Sequence, residues 1–138
     1  MRQVRHFSHT ADIRIQVEAD SLEELFLAGA SVISDLLKPD FCQEHKAFSV
    51  LKKIDVRSPD ITALMIDFLS DLLTHSYTSK SIFCHIEMRR LTDQMVNATI
   101  SGCPVDGFDE DIKAVTYHEA NILKNKSGNW ETMLILDI

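Results

Sequence analysis

Three charged side chains stand where this sequence places the ends of strands, and together they could do chemistry. Asp12 follows the turn-prone His9-Thr10-Ala11 and enters an alternating segment, Lys113 opens a later apolar segment, and Asp137 is followed by Ile138. Two carboxylates drawn together repel, so that one keeps its proton unless a cation lies between them. Lys113 offers an ammonium for that place; a metal ion is the other remedy. Carboxylate oxygens, a backbone carbonyl and water form a hard donor set, which suits calcium, magnesium or manganese better than zinc. The terminal carboxylate of Ile138 adds one more oxygen. Spacing alone leaves the plainer readings open: a solvated aspartate after a turn and another near a chain end are both common.

Other signatures of catalysis are missing. The chain has no glycine-rich phosphate loop, no Gly-x-Ser-x-Gly elbow, no His-Glu-x-x-His and no twelve-residue calcium loop. With 4 glycines in all, a backbone cradle for nucleotide phosphates is hard to build. The 6 histidines contain no pair at zinc-motif spacing. The 3 cysteines, Cys42, Cys84 and Cys103, are widely spaced with no Cys-x-x-Cys pair, and are expected to be free thiols. The 21 acidic residues outnumber 14 basic ones, giving a formal charge of −7, which argues against a protein that holds nucleic acid through phosphate contacts. No segment approaches the roughly 20 apolar residues of a membrane span, and Met1–His6 lacks the apolar run of a signal peptide. A cytosolic protein without a membrane partner is expected.

The elements that must position these residues follow from periodicity. Ile13, Ile15 and Val17 alternate with polar residues, so 12–19 reads as a strand with one buried face. Ser21, with Glu24 three residues on, opens an apolar stripe from Leu22 to Leu37 that Pro39 closes, which predicts a helix with a capping box. Residues 46–57 read as a strand interrupted by Lys52-Lys53. Ser58-Pro59 reads as the entry to a second helix over about 59–75, whose stripe from Ile61 to Leu73 is a core face. Segments 81–90, 93–101, 112–123 and 130–137 read as strands, the last two forming a hairpin across the loop 125–129. At 138 residues the chain is long enough for one core, and the expected architecture is α+β: a single domain over 1–138, a mostly antiparallel sheet packed on two amphipathic helices in two layers.

The same residues carry a resemblance. His9-Thr10-Ala11-Asp12, Ser21-Leu22-Glu23-Glu24-Leu25-Phe26, Lys113-Ala114-Val115-Thr116-Tyr117-His118 and Leu136-Asp137-Ile138 occur in the order found in the archease proteins, which the chain resembles over nearly its whole length. That resemblance implies a non-catalytic accessory factor for a GTP-dependent RNA ligase of the RtcB type, which joins RNA ends bearing a 3′-phosphate or 2′,3′-cyclic phosphate to a 5′-hydroxyl in tRNA splicing and RNA repair. The factor is implied to promote guanylylation of the ligase and its repeated turnover, meeting RNA only through the ligase. Carried over by position, the family's divalent-metal site falls on Asp12 and Asp137, with the Ile138 backbone as a further oxygen donor. Lys113 matches the family's functionally important lysine, and His9 and His118 match motif positions without an assigned role. The sequence departs at Glu18-Ala19-Asp20, where the family commonly has a glycine, and between 40 and 100 it matches in pattern only. Tyr117 is open between packing and chemistry. Two other classes stay in view: a metal-dependent hydrolase or nucleotidyl enzyme built on the same acids, and a chaperone-like interaction module.

Overall fold

Alternation at 12–19 and its counterpart at the other end of the chain decide how this molecule closes. The computed structural model describes residues 12–138. The Val4–His9 segment, and with it the candidate His9, lies outside them. Strand β1 (Asp12–Ala19) pairs antiparallel with the last strand, β7 (Trp130–Asp137), from Asp12↔Asp137 through Ala19↔Trp130. β1 takes one edge of β7 along its whole length, so β5 (Ala114–Thr116) and β6 (Leu123–Lys124) share the other edge. A second sheet places β4 (Met95–Pro104) between β2 (Val50–Arg57) and β3 (Ser81–Leu91). Among the described residues all pairings are antiparallel, and the strands fall into two sheets where one was expected.

The helices bind the sheets together. α1 (Leu22–Leu37) starts at Ser21, whose hydroxyl accepts from the Glu24 N–H at 3.1 Å, and buries Leu25, Phe26, Ala30, Ile33 and Leu37. α3 (Ile61–Ser79) buries Leu64, Met65, Phe68, Leu69 and Leu72, with the Phe26 and Phe68 rings 5.5 Å apart between the two helices. Gly29 makes that approach possible, since a Cβ there would lie 2.8 Å from Met65 Cε. The fold is α+β as predicted. No helix among the described residues is long and apolar enough to cross a membrane.

Four local expectations are corrected. The second helix is capped by Asp60, which accepts from the Ala63 N–H at 2.8 Å, so Pro59 precedes the cap and does not occupy the first turn. The helix runs on to Ser79 through polar residues whose hydroxyls, on Thr74 and Thr78, bond back to carbonyls four residues earlier. β2 starts at Val50 and runs unbroken through Lys52 and Lys53, two exposed lysines on a sheet edge, where such residues discourage further pairing. The predicted strand 112–123 survives only as β5 and β6. Between them the backbone finds side-chain acceptors, Asn121 N–H on Thr132 Oγ1 and Ile122 N–H on Thr62 Oγ1, and Glu119 adopts φ 58°. The cysteines are not all free: a short helix absent from the periodicity, α2 (Phe41–Glu44), carries Cys42 to Cys84 on β3, Cα–Cα 5.3 Å, and the two form a disulfide. Wide sequence spacing does not limit spatial approach; only Cys103 keeps its thiol.

Candidate functional site

Along β1 the alternation that buries Val17 against the core turns Asp12, Arg14, Gln16 and Glu18 to the opposite face. The register sets Asp137 directly across from Asp12 and Ala114 directly across from Asp137. A row of three residues on three strands thus ends the sheet, while the next row, Ile13, Leu136 and Val115, packs on the core. Directly opposed residues carry their Cβ atoms about 4.5–5.5 Å apart, close enough for two carboxylates to repel or to share one cation.

Asp12 is exposed and Asp137 half-buried. Among the described residues the cation in contact with Asp12 is Arg14, its guanidinium 4.0 Å from the carboxylate and hydrogen-bonded to Glu119 on the exposed turn that also holds His118. Arg14 was legible in principle: two residues on from Asp12 in a period-two strand, it must share that face. Lys113 reaches the row through its backbone, its N–H donating to the Asp137 carbonyl at 2.7 Å. Its exposed ammonium makes no ion pair among the described residues, and of the two remedies open to the paired carboxylates, ammonium or metal ion, the side-chain cation in contact with one of them is Arg14. Ile138 follows Asp137, half-buried and packed against the core edge.

One support of the site, Tyr77, is absent from any motif, whereas Tyr117 and Thr116 belong to the Lys113–His118 run. Tyr77 on α3 donates its hydroxyl to the Ile112 carbonyl at 2.8 Å and accepts from the Ile112 N–H at 2.7 Å, fixing the residue before Lys113. Burial raises the Tyr77 phenol above its ordinary range. Tyr117 is 60% exposed, which removes it from the core; its hydroxyl donates to Asp67, a bond that raises its own ionisation range, and Ser58 Oγ donates to the other oxygen of Asp67. On the acid face, Thr116 lies two residues beyond Ala114, and its Oγ1 is buried with no hydrogen-bond partner among the described residues.

The arrangement is an open set of oxygen donors. Among the described residues no group of three or more His, Cys, Asp and Glu side chains is placed to hold a metal ion. Two carboxylates with backbone oxygens leave positions for water or for a second molecule's oxygens, as hard cations with six or more ligands require.

Comparison with known proteins is consistent along the whole chain. The model of the Archease protein family (MTH1598/TM1083) matches residues 5–138. The protein archease of Pyrococcus furiosus is 32% identical over 147 residues, and that of Pyrococcus abyssi 31% over 145, each comparison covering 100% of both chains. Among solved structures, Methanobacterium thermoautotrophicum protein 1598 superposes with a TM-score of 0.71 at 24% identity, covering 96% of each chain. A Thermotoga maritima archease, described as a "possible chaperone", gives 0.70 at 17%, covering 100% of this chain and 99% of the other.

Proposed function

Because the chain belongs to the archease family, we propose that it is an accessory factor which activates a GTP-dependent RNA ligase of the RtcB type, promoting the ligase's guanylylation and repeated turnover in tRNA splicing and RNA repair. One observation carries this reading: Asp12 and Asp137, from opposite ends of the chain, stand face to face in the β1–β7 register, with Lys113 hydrogen-bonded through its backbone to Asp137. An open pair of opposed carboxylates fits a hard divalent cation, calcium, magnesium or manganese. The buried hydroxyl of Thr116 on the same face, without a hydrogen-bond partner among the described residues, fits a hydrated ligand there. Asp12 and Asp137 would hold the ion, with Ile138 as a further oxygen donor, and when bound it would neutralise charge on phosphate oxygens.

The chain's own residues bind and orient. Phosphoryl chemistry rests on positioning and charge neutralisation, so a factor can assist a ligase without a nucleophile of its own. Lys113, and His118 on the exposed turn, face the partner. The decisive experiment is a multiple-turnover RNA ligation assay with the cognate ligase, with and without this protein. Stimulation is expected, and Asp12→Ala and Asp137→Ala are expected to abolish it while the far-UV circular dichroism stays that of the parent; full stimulation by both variants refutes the site. Intrinsic hydrolysis or nucleotidyl transfer by the purified chain would favour an enzyme instead. A chaperone role, suggested by the description of the Thermotoga relative, predicts suppression of aggregation that ignores both aspartate substitutions.

A further inference from the structure

The disulfide joins two elements that do not need it in the same way. Cys84 sits where the β3–β4 register shifts between Phe83 and His85, so it is the extra residue of a β-bulge and stands outside the ladder. Cys42 belongs to α2, a helix of 4 residues that buries only Phe41 and whose N-cap, Asp40, adopts φ 63° with no side-chain cap bond. So short a helix cannot hold itself, because nucleation is unfavourable and few bonds follow it. What ties it to the rest of the molecule is the buried Phe41, on which its own C-cap residue His45 stacks at 4.0 Å, and the bridge.

Both half-cystines are partly exposed and line one groove of about 540 Å³ between α1, α2 and β3, together with Leu27, Ser34, Phe83 and His85. Cys103 stands apart: it is buried, and its thiol donates to the Ala47 carbonyl at 2.8 Å. A thiolate entering the groove therefore meets the Cys42–Cys84 sulfurs and not Cys103. Breaking the bridge dismantles no ladder pair, since Cys84 has no partner in the β3–β4 register, whereas it removes the covalent cross-link of α2 to β3.

We infer that Cys42–Cys84 is a reversible thiol–disulfide couple that exchanges with a dithiol reductant and clasps α2 over the groove between α1 and β3. In the reductive direction a thiolate of the dithiol attacks one sulfur of the bridge. The S–S bond breaks, a mixed disulfide forms and the departing thiolate takes a proton; the second thiol of the reductant then displaces the other cysteine. Two electrons pass from the dithiol to the protein, leaving Cys42 and Cys84 as thiols and the reductant as a disulfide. A small-molecule disulfide reverses both steps. In the reduced form α2 separates from β3 and the groove opens, while β1 and β7 keep their pairing.

The test uses the full chain equilibrated with dithiothreitol or with glutathione disulfide, alkylated after denaturation and weighed, alongside amide hydrogen exchange on the native protein. One alkylated cysteine is expected in the oxidised sample and three in the reduced one. Exchange over Phe41–His45 should quicken by about tenfold or more on reduction, with β1 and β7 unchanged. Cys42→Ser should show the fast exchange in both buffers, and Cys103→Ser should keep the wild-type response. Three alkylated cysteines under every condition would remove the couple. Unchanged exchange at Phe41–His45 would leave a bridge that clasps nothing, and protection lost across β1 and β7 would make it a staple of the whole fold; either result overturns the proposal.

Discussion

Like charges directly opposed on neighbouring strands destabilise a sheet unless something compensates them, and β1–β7 carries two such pairs on one face. At Glu18↔Glu131 the hairpin loop compensates: Asn129 Nδ2 donates to Glu18 at 2.8 Å and Asn125 Nδ2 to Glu131 at 3.2 Å. The Asn129 bond holds the Glu18 carboxyl below its ordinary range, so its contribution is present at neutral pH and fades as acid carries the solution down through the folded-state value, below about pH 4. Asn129→Ala should therefore flatten the acid limb of the stability curve, followed by urea midpoints between pH 6 and 3, roughly the carboxylate range. At Asp12↔Asp137 the only compensating side chain among the described residues is Arg14 at 4.0 Å. Asp12→Asn should then leave the metal-free chain as stable as before, or stabilise it by about 0.2–1 kcal/mol. If the proposed ion site is real, calcium or manganese should raise the melting temperature of the parent, and the same change should erase that rise. A stability loss well above about 1 kcal/mol would instead make Asp12 a structural residue. Alternation made the types and faces of these acids legible, but which acid meets which is a matter of register, and register is invisible in a single chain.

Where elements are concerned, local signals were legible and distant ones were not. β1 and α1 could be read because alternation, the Ser21 cap and the apolar stripe act within a few residues. The break in 112–123 could not, because it is made by acceptors on Thr62 and Thr132, and the Cys42–Cys84 bridge could not, because a short helix and a bulge bring its ends together. Tyr77 belongs with the distant signals, reaching from α3 to both backbone groups of the fully buried Ile112. Tyr77→Phe strands those two groups and should cost about 1–3 kcal/mol in urea unfolding. Because burial raises the Tyr77 ionisation range, its contribution is complete below about pH 10 and is lost as pH rises through the folded-state value, so the variant should have the flatter alkaline limb. Gly102, near the end of the central strand of the second sheet, makes the sharper test of strand packing. A Cβ there would lie 2.0 Å from the Ile82 carbonyl oxygen, which is backbone and cannot step aside, whereas at Gly29 it meets side-chain atoms of Met65 and Leu69. Gly102→Ala should cost upwards of about 3 kcal/mol and Gly29→Ala distinctly less, compared by thermal unfolding.

At the scale of the whole molecule, one central strand decides the geometry of the site. β7 receives β1 on one edge and β5 on the other, so residues from the first, fifth and last strands share one end of one sheet. Sequence could order those segments but not join them, since nothing local to Asp12 or Asp137 reports that β7 lies between two partners. The formal charge of −7 acts at this scale too. It extends a field toward any basic, RNA-binding partner, and such a field governs the rate of encounter more than the lifetime of the complex. The Debye length shrinks from about 10 Å at 0.1 M salt to 3 Å at 1 M, so long-range attraction should weaken across that range while contacts inside the complex persist. Stopped-flow mixing with the proposed ligase partner should accordingly show an association rate that falls steeply with salt and a dissociation rate that hardly moves. Removing an exposed charge from the second sheet, as in Glu87→Gln, should change association slightly and stimulation not at all. Asp137→Asn removes one charge as well, but from the paired acids, and should abolish stimulation while slowing association no more than Glu87→Gln does. Equal losses of stimulation in the two variants would mean that net charge, rather than the juxtaposition of Asp12 with Asp137, is what the partner reads.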